Sequence, residues 1–498
     1  MSEHGGSKAE RWAQFRFSVI GALLAAPPPR GALAEELRAL AATTWRHPIS
    51  GAPLRFGRST IERWLSQARR AERDPVALLR RKPRRDRGAQ PSLAAPLREL
   101  LRAQHRAHPS WSAKLHADNL VALAAEHALA AVPSTSTVRR YLRAQGLERT
   151  PRARSPRAPG LRAREPREIR SFELPHVHAL WHADFHHGSL ELYEGRRPYR
   201  PKLLGFLDDH SRLVCHLQWV RDETAESFVH GLMQAIQKRA LPRALMTDQG
   251  APMLAEEVVQ GLARLGILHQ PTLPYSPYQN AKQEVFWARV EGRLMALLEG
   301  VAPLTLELLN RATLAWVERE YHLELHRELG TSPLERFATA QNLGRESPGP
   351  EDLRSAFRLQ DERRVRRSDG TIVLLGLRFE IPSRFRHLHR VTVRYARWDL
   401  AHVELVDPQT DVLLATLAPL DKARNADARR RRHAPLAAPH PTAPPDPPKD
   451  MPALLRKLLA EIAASGAPPG YLPLRRRDAH ADLDPDPTPT PDPETEHG

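Results

Sequence analysis

Residues 180–188 read LWHADFHHG, and this stretch sets the fold. Around it the chain alternates. Val177, Ala179, Trp181, Ala183 and Phe185 fall on one face, and His178, His182 and Asp184 on the other. A period of two marks a β-strand, here one that presents Asp184 on one side of a sheet. Working outward, residues 200–221 read as a hairpin: PKLLGFL, a polar turn at Asp208-Asp209-His210-Ser211, then RLVCHLQWV. Phe228, Leu232, Ala235 and Ile236 recur at helical spacing. Leu245 and Met246 make a short buried strand that ends at Asp248 in RALMTDQGA. A helix is expected from about Leu254 to Leu265 and a strand over Ile267–Leu273. Glu284 then opens a helix within SPYQNAKQEVFWARVEGRL, residues 276–294, whose Phe286, Val290 and Leu294 are core by spacing.

The resulting order is three strands, helix, strand, helix, strand, helix, the ribonuclease H-like order. In that fold the first and fourth strands are neighbours, so Asp184 and Asp248 converge at their ends. Between Asp248 and Glu284 lie 35 residues, enough for a helix, a strand, a loop and the start of a second helix. Carboxylates so arranged can hold divalent cations for phosphoryl transfer on nucleic acid, because Mg²⁺ is a hard ion that prefers oxygen ligands.

The motifs WHADF, LDDHSR, TDQG and SPYQNAKQE, followed by Tyr321, His326, Gly330, Ser332-Pro333 and Phe337, resemble the catalytic core of the DDE transposases and retroviral integrases. The likeness spans residues 174–340 and is strongest to the bacterial insertion-sequence branch with YSPYQNGK-type loops. Ala281 stands where that family usually has Gly, which implies a small shift in loop geometry. The resemblance implies that Asp184, Asp248 and Glu284 are both the catalytic residues and the ligands of two Mg²⁺ ions, with Mn²⁺ as a substitute. Asp184 would bridge both ions, Asp248 bind one and Glu284 the other. It further implies a DNA transposase or integrase that binds element ends, cleaves at the 3′ end and joins that end to target DNA. The alternative is a catalytically inactive DNA-binding regulator on the same fold.

Other acids and histidines are given quieter parts. Asp208 and Asp209 lie in the hairpin turn and read as structural. Glu291, among Arg289 and Arg293, reads as a surface salt bridge, and Glu257 as a helix-surface acid. His182, His186 and His187 read as satisfied strand histidines. Lys282 is a candidate phosphate contact, and Gln279 and Asn280 could read a base edge or cap the helix.

The flanks fit a polyanionic partner. Lys and Arg total 75 against 58 Asp and Glu, a net charge of +17, which points to double-stranded DNA. Residues 8–75 read as a helix-turn-helix unit, with helices around Phe15–Leu24 and Leu33–Ala42 and a third starting at Ser59 or Thr60. Arg63 and Arg69 decorate the third helix. Residues 76–91 are a basic linker that carries Arg80, Arg81 and Arg84. Residues 92–148 read as a second helical DNA-binding module, with Arg139 and Arg140 at the start of its last helix. Residues 149–173 form another Arg- and Pro-rich connector. After the core, residues 360–420 switch to short strands and resemble the small β-barrel of Mu-type transposases. Residues 421–498 read as a disordered tail around an amphipathic helix at 451–463. The resemblance to Mu-type transposases implies that this tail docks to an AAA+ ATPase, and the family resemblance implies self-association into a dimer or tetramer on DNA. The lone cysteine, Cys215, excludes an intrachain disulfide or a cysteine-rich zinc site and reads as core. No run of about 18 apolar residues exists, so no membrane partner is expected. The expected location is the bacterial cytoplasm, at the nucleoid.

Overall fold

The computed structural model describes residues 7–71, 73–80, 93–129, 131–147, 149–150, 172–188, 190–273, 281–422, 448, 450–467 and 470–473. The chain divides into two compact units, residues 1–92 and 93–498. The first holds helices α1 (Lys8–Ala25), α2 (Leu33–Ala42), α3 (Arg58–Arg69) and α4 (Pro75–Leu79) and a small hairpin, β1 (Trp45–Arg46) with β2 (Pro53–Leu54). Ile61, Trp64, Leu65 and Ala68 of α3 are buried against Val19, Ile20 and Leu23 of α1. Helix α3 starts at Arg58, one or two residues earlier than expected, with Gly57 as its N-cap. The hairpin occupies the connection between α2 and α3, which is therefore much longer than the turn of about 3–4 residues in a helix-turn-helix.

The second unit opens with α5 (Ala95–Ala107), α6 (Ala113–Glu126) and α7 (Thr135–Ala144), which share a core built on Leu97, Leu101, Leu120 and Val138. The central sheet follows. Its strands are β3 (Trp181–His187), β6 (Lys202–Asp208), β7 (Val214–Val220), β8 (Ala244–Thr247) and β9 (Leu268–Pro271), side by side in the order β7-β6-β3-β8-β9. A short hairpin, β4 (Leu192–Glu194) and β5 (Arg197–Tyr199), is inserted between β3 and β6. Helices α8 (Ala225–Lys238) and α9 (Glu256–Arg264) alternate with the last strands, and α10 (Ala281–Arg289) comes after β9. This is the ribonuclease H-like order read from the sequence.

The sheet is covered on both faces, so its strands are buried on alternate sides. Leu204 and Phe206 of β6 pack with Trp181, Ala183 and Phe185 against Phe228, Leu232 and Ile236 of α8. Leu203 and Leu207 of β6 and Trp219 of β7 pack on the other face against Phe286, Trp287, Val290 and Leu294. Cys215 is fully buried in the first of these layers. The expected strand over residues 177–185 is shorter at its start. His178 takes a left-handed backbone (φ 62°), which breaks the extended run, and pairing begins at Trp181. The reason lies in the hairpin turn, where Asp208 Oδ2 accepts the His178 N–H at 2.8 Å and bends the approach to the strand.

Two further expectations are corrected. Residues 359–417 form no closed barrel among the described residues. They form a four-stranded sheet of β10 (Leu359–Arg364), β13 (Arg390–Ala396), β14 (Asp399–Val406) and β15 (Leu413–Leu417), and a separate hairpin of β11 (Thr371–Leu374) and β12 (Leu377–Glu380). The two share one core around Ile372, Phe379, Val393 and Leu405. The amphipathic helix, Ala453–Ala464, is not an open docking peptide. Its Leu454, Leu455, Leu458 and Leu459 are buried in the same core as Trp219 and Leu309. Asn119 Oδ1 accepts the Leu454 N–H at 2.8 Å, and Arg456 pairs with Glu126 at 2.6 Å. The apolar face that was to receive an ATPase is spent inside the chain. The basic linker residues Arg81 and Arg84, and most of the 421–498 tail, lie outside the described residues.

The packing of this last helix is open to test. Leu455→Asp puts an unpaired charge into a fully buried position, so the helix should detach. Trypsin should then cut at Arg456 and Lys457 many times faster than in the unaltered chain. Equal cleavage in both proteins would show that the helix is not held.

Candidate functional site

The site begins with a strand pairing. β3 and β8 run parallel in the register Trp181↔Leu245, His182↔Met246 and Ala183↔Thr247. One residue beyond this register stand Asp184, midway along β3, and Asp248, just past the end of β8, so the fold sets both carboxylates on neighbouring strands. Asp248 accepts the Gly250 N–H at 2.9 Å, a tight turn that holds the acid where the strand stops. Asp184 is half-buried, and its Oδ2 accepts the indole N–H of Trp287 at 2.9 Å.

Burial raises the Asp184 carboxyl, the Trp287 hydrogen bond pulls it back, and the nearby Asp248 charge raises it again, leaving it at about 6. Two oxygen-donor acids held together in this way suit a divalent cation, which would replace mutual repulsion with shared attraction. Asp184 and Asp248 are the residues that would hold it. Among the described residues no group of three His, Cys, Asp or Glu side chains is close enough to bind a metal. Glu284 is the third candidate. It is exposed in the first turn of α10, directly after residues 274–280, which lie outside the described residues together with Gln279 and Asn280. Glu284 sits one turn before Trp287, so the helix that carries it is anchored at Asp184. Ala281 is the first residue of that helix and takes a helical backbone, a conformation that needs no glycine.

Beside the two acids lies a second, fully buried carboxylate. Asp209 Oδ1 meets His182 Nε2 at 2.7 Å and forms an ion pair with Lys282, while its Oδ2 accepts the Leu174 N–H at 2.8 Å. Burial alone would raise Asp209, but these donors prevail and hold it at about 2. Lys282 also lies 4.5 Å from the centroid of the Phe172 ring. Burial lowers its ammonium, and Asp209 counters this in part. A phosphate reaching Lys282 therefore meets a cation already paired. Asp208 accepts both the N–H and the hydroxyl of Ser211 and stays structural, as its place in the turn implies.

Several partners differ from those read in the sequence. Glu291 meets His186 Nε2 at 2.8 Å in place of its neighbouring arginines. Arg289 pairs with Glu324, and Arg293 with Glu320 and Asp118. Glu257 is 1% exposed and faces Arg397 at 3.3 Å, so it is not a surface acid. His187 is exposed and meets Glu223 at 2.9 Å. Trp287 and Gly205 were missed. A glycine inside the apolar run LLGFL was the available signal, since glycine in a strand interior often marks a close approach. Of the basic candidates, Arg63, Arg69, Arg139 and Arg140 are exposed on α3 and α7, and Arg80 is paired with Glu10 at 2.6 Å.

The sequence of residues 175–277 matches the integrase core domain. This segment of the chain is integrase-like. Among solved structures, the catalytic core domain of HTLV-2 integrase in complex with magnesium is similar at 20% identity, covering 34% of this chain and 99% of its own, with a TM-score of 0.27. The BIV integrase catalytic core is similar at 22% identity, over 32% and 94%, with a TM-score of 0.26. An intasome of simian T-cell lymphotropic virus is similar at 15% identity, over 62% and 95%, with a TM-score of 0.28. No curated protein matches the sequence. Among the described residues no helix is long and apolar enough to cross a membrane.

The raised Asp184 carboxyl has a direct consequence for stability. Its folded value of about 6 lies above the ordinary 3.8, so the charged form opposes folding. That cost is absent below pH 3.8, grows as pH rises to about 6, and is constant above it. Asp184→Asn should therefore raise the stability of the metal-free protein at pH 8 by about 2 to 3 kcal/mol, with no gain below pH 4. Thermal midpoints in EDTA across this range would check it. A uniform change at all pH values would point to packing instead.

Proposed function

We propose that this protein is a DNA transposase or integrase, a polynucleotidyl transferase that cuts DNA at element ends and joins the freed 3′ end to target DNA. The observation that carries the reading is the parallel pairing of β3 with β8, which makes Asp184 and Asp248 neighbours within an integrase-like core. Asp184, Asp248 and Glu284 are the acidic set that would hold two Mg²⁺ ions, with Mn²⁺ as a substitute. Bound there, divalent ions supply charge neutralisation at the phosphate and an activated oxygen nucleophile.

The chain's own residues do the rest. Trp287 and Gln283 hold α10, the helix that carries Glu284, against the sheet. Lys282 receives a phosphate by exchanging its Asp209 partner. Arg63, Arg69, Arg80, Arg81 and Arg84, and Arg139 and Arg140 on α7, contact the DNA backbone, where each cation displaces condensed counterions. Self-association into a dimer or tetramer would bring two ends together. An inactive DNA-binding regulator is the reading that fails if joining is seen.

Strand transfer is the decisive assay. Purified protein, labelled DNA from the flanks of the gene, a supercoiled target and Mg²⁺ should give joined product. Asp248→Ala should lower it by at least about a hundredfold while leaving end binding intact. End binding with no joining under any divalent ion would favour the inactive regulator. Binding should also weaken steeply with salt, and Arg139→Ala should reduce the slope of log affinity against log salt by about one.

A further inference from the structure

Trp287 belongs by sequence to a core helix, and a large ring 6% exposed beside Phe286 needs no other explanation than packing. Its surroundings say more. The indole is fixed at its edge, face and tip. At the edge, Nε1–H donates to Asp184 Oδ2 at 2.9 Å. On the face, the His186 ring stacks at 5.1 Å between centroids and 17° between planes, and His186 is itself held by Glu291 at 2.8 Å. At the tip lies Gly205, the residue directly opposite Asp184 in the β3–β6 register. A Cβ on Gly205 would stand 2.7 Å from Cη2 of the indole, closer than real contacts allow. The missing side chain is therefore what lets the ring lie across β6 and reach the acid on β3. The Gly205 carbonyl also accepts the amide of Gln283, itself fully buried, at 3.1 Å, so α10 is latched to this one strand position twice.

We propose that Trp287 is a positioning residue for the metal site: its indole N–H fixes the Asp184 carboxylate in the orientation in which it meets a divalent cation together with Asp248. The inference rests on the reading that Asp184 and Asp248 hold such a cation. Hydrogen-bond donors behind metal-ligating side chains set ligand orientation, and losing one typically weakens metal binding by about 10- to 100-fold. Because Trp287 and Glu284 share α10, the same bond ties the helix of the third acid to the first.

The test is Mn²⁺ binding to the full chain, followed by calorimetry, with the ions lost in Asp248→Ala defining the site. Trp287→Phe keeps an aromatic ring and removes the N–H. It should weaken Mn²⁺ binding about tenfold, and the loss should vanish in an Asp184→Asn background, because the two residues act as one unit. Incorporating 3-benzothienylalanine at position 287 keeps the fused ring and lacks only the N–H, so it gives the same answer should the phenylalanine variant not fold. A metal-free readout stands beside these. The chain has nine tryptophans, and the indole N–H resonance lost in Trp287→Phe should be the one that moves most in Asp184→Ala. Wild-type Mn²⁺ affinity in both variants at position 287 would overturn the proposal while sparing the functional reading. A wild-type chain that binds no Mn²⁺ would overturn both.

Discussion

The parallel pairing of β3 with β8 is the constraint on which the rest depends. Parallel strands cannot be joined by a tight turn, so the chain between them must cross over, and it does so through β6, β7 and α8. Helix α8 of that crossover covers one face of β3, and α10, which follows β9, lies against the other. The pairing also sets two acids side by side, and burial, with the nearby Asp248 charge as a smaller cause, raises the Asp184 carboxyl. Folds keep such unfavourable groupings where a ligand relieves them, and a divalent cation is the ligand that two carboxylates suit.

Around this point the protein is stiff on one side and open on the other. Asp208 and Asp209 in the β6–β7 turn accept backbone N–H groups from the segment entering β3, and Asp209 also holds His182. Trp287 and Gln283 tie α10 to the same pair of strands. The strands are thus braced from beneath, while Glu284 stands exposed in the first turn of its helix.

The tail changes the picture of how the second unit is assembled. Helix Ala453–Ala464 lies against α6 of the helical module, while its core also contains Trp219 and Leu309, and further on Tyr471 donates its hydroxyl to the Glu307 carbonyl. It joins a part of the chain that precedes the sheet to the helices that follow it. An amphipathic face between Pro-rich segments reads equally well as a peptide for a partner and as a missing piece of the core. Only the presence of a matching apolar surface on α6 and on the helix Leu306–Trp316 selects the second.

What the sequence by itself determined was periodic and local. Alternation gave the strand at Asp184, helical spacing gave α8 and the core side of α10, and the order of elements gave the sheet. These survive because burial on one face or two imposes a period that tertiary contacts do not erase. The sequence also nominated Asp184, Asp248 and Glu284, because the motifs around them resemble those of the DDE transposases and retroviral integrases. Tertiary structure alone decided the partners. Glu291 chose His186 over two closer arginines, Lys282 was taken by Asp209, and Trp287 reached Asp184 only because Gly205, far away in the chain, has no side chain. Those choices depend on which surfaces meet at hydrogen-bond distance across strands and helices, a geometry that no local period encodes.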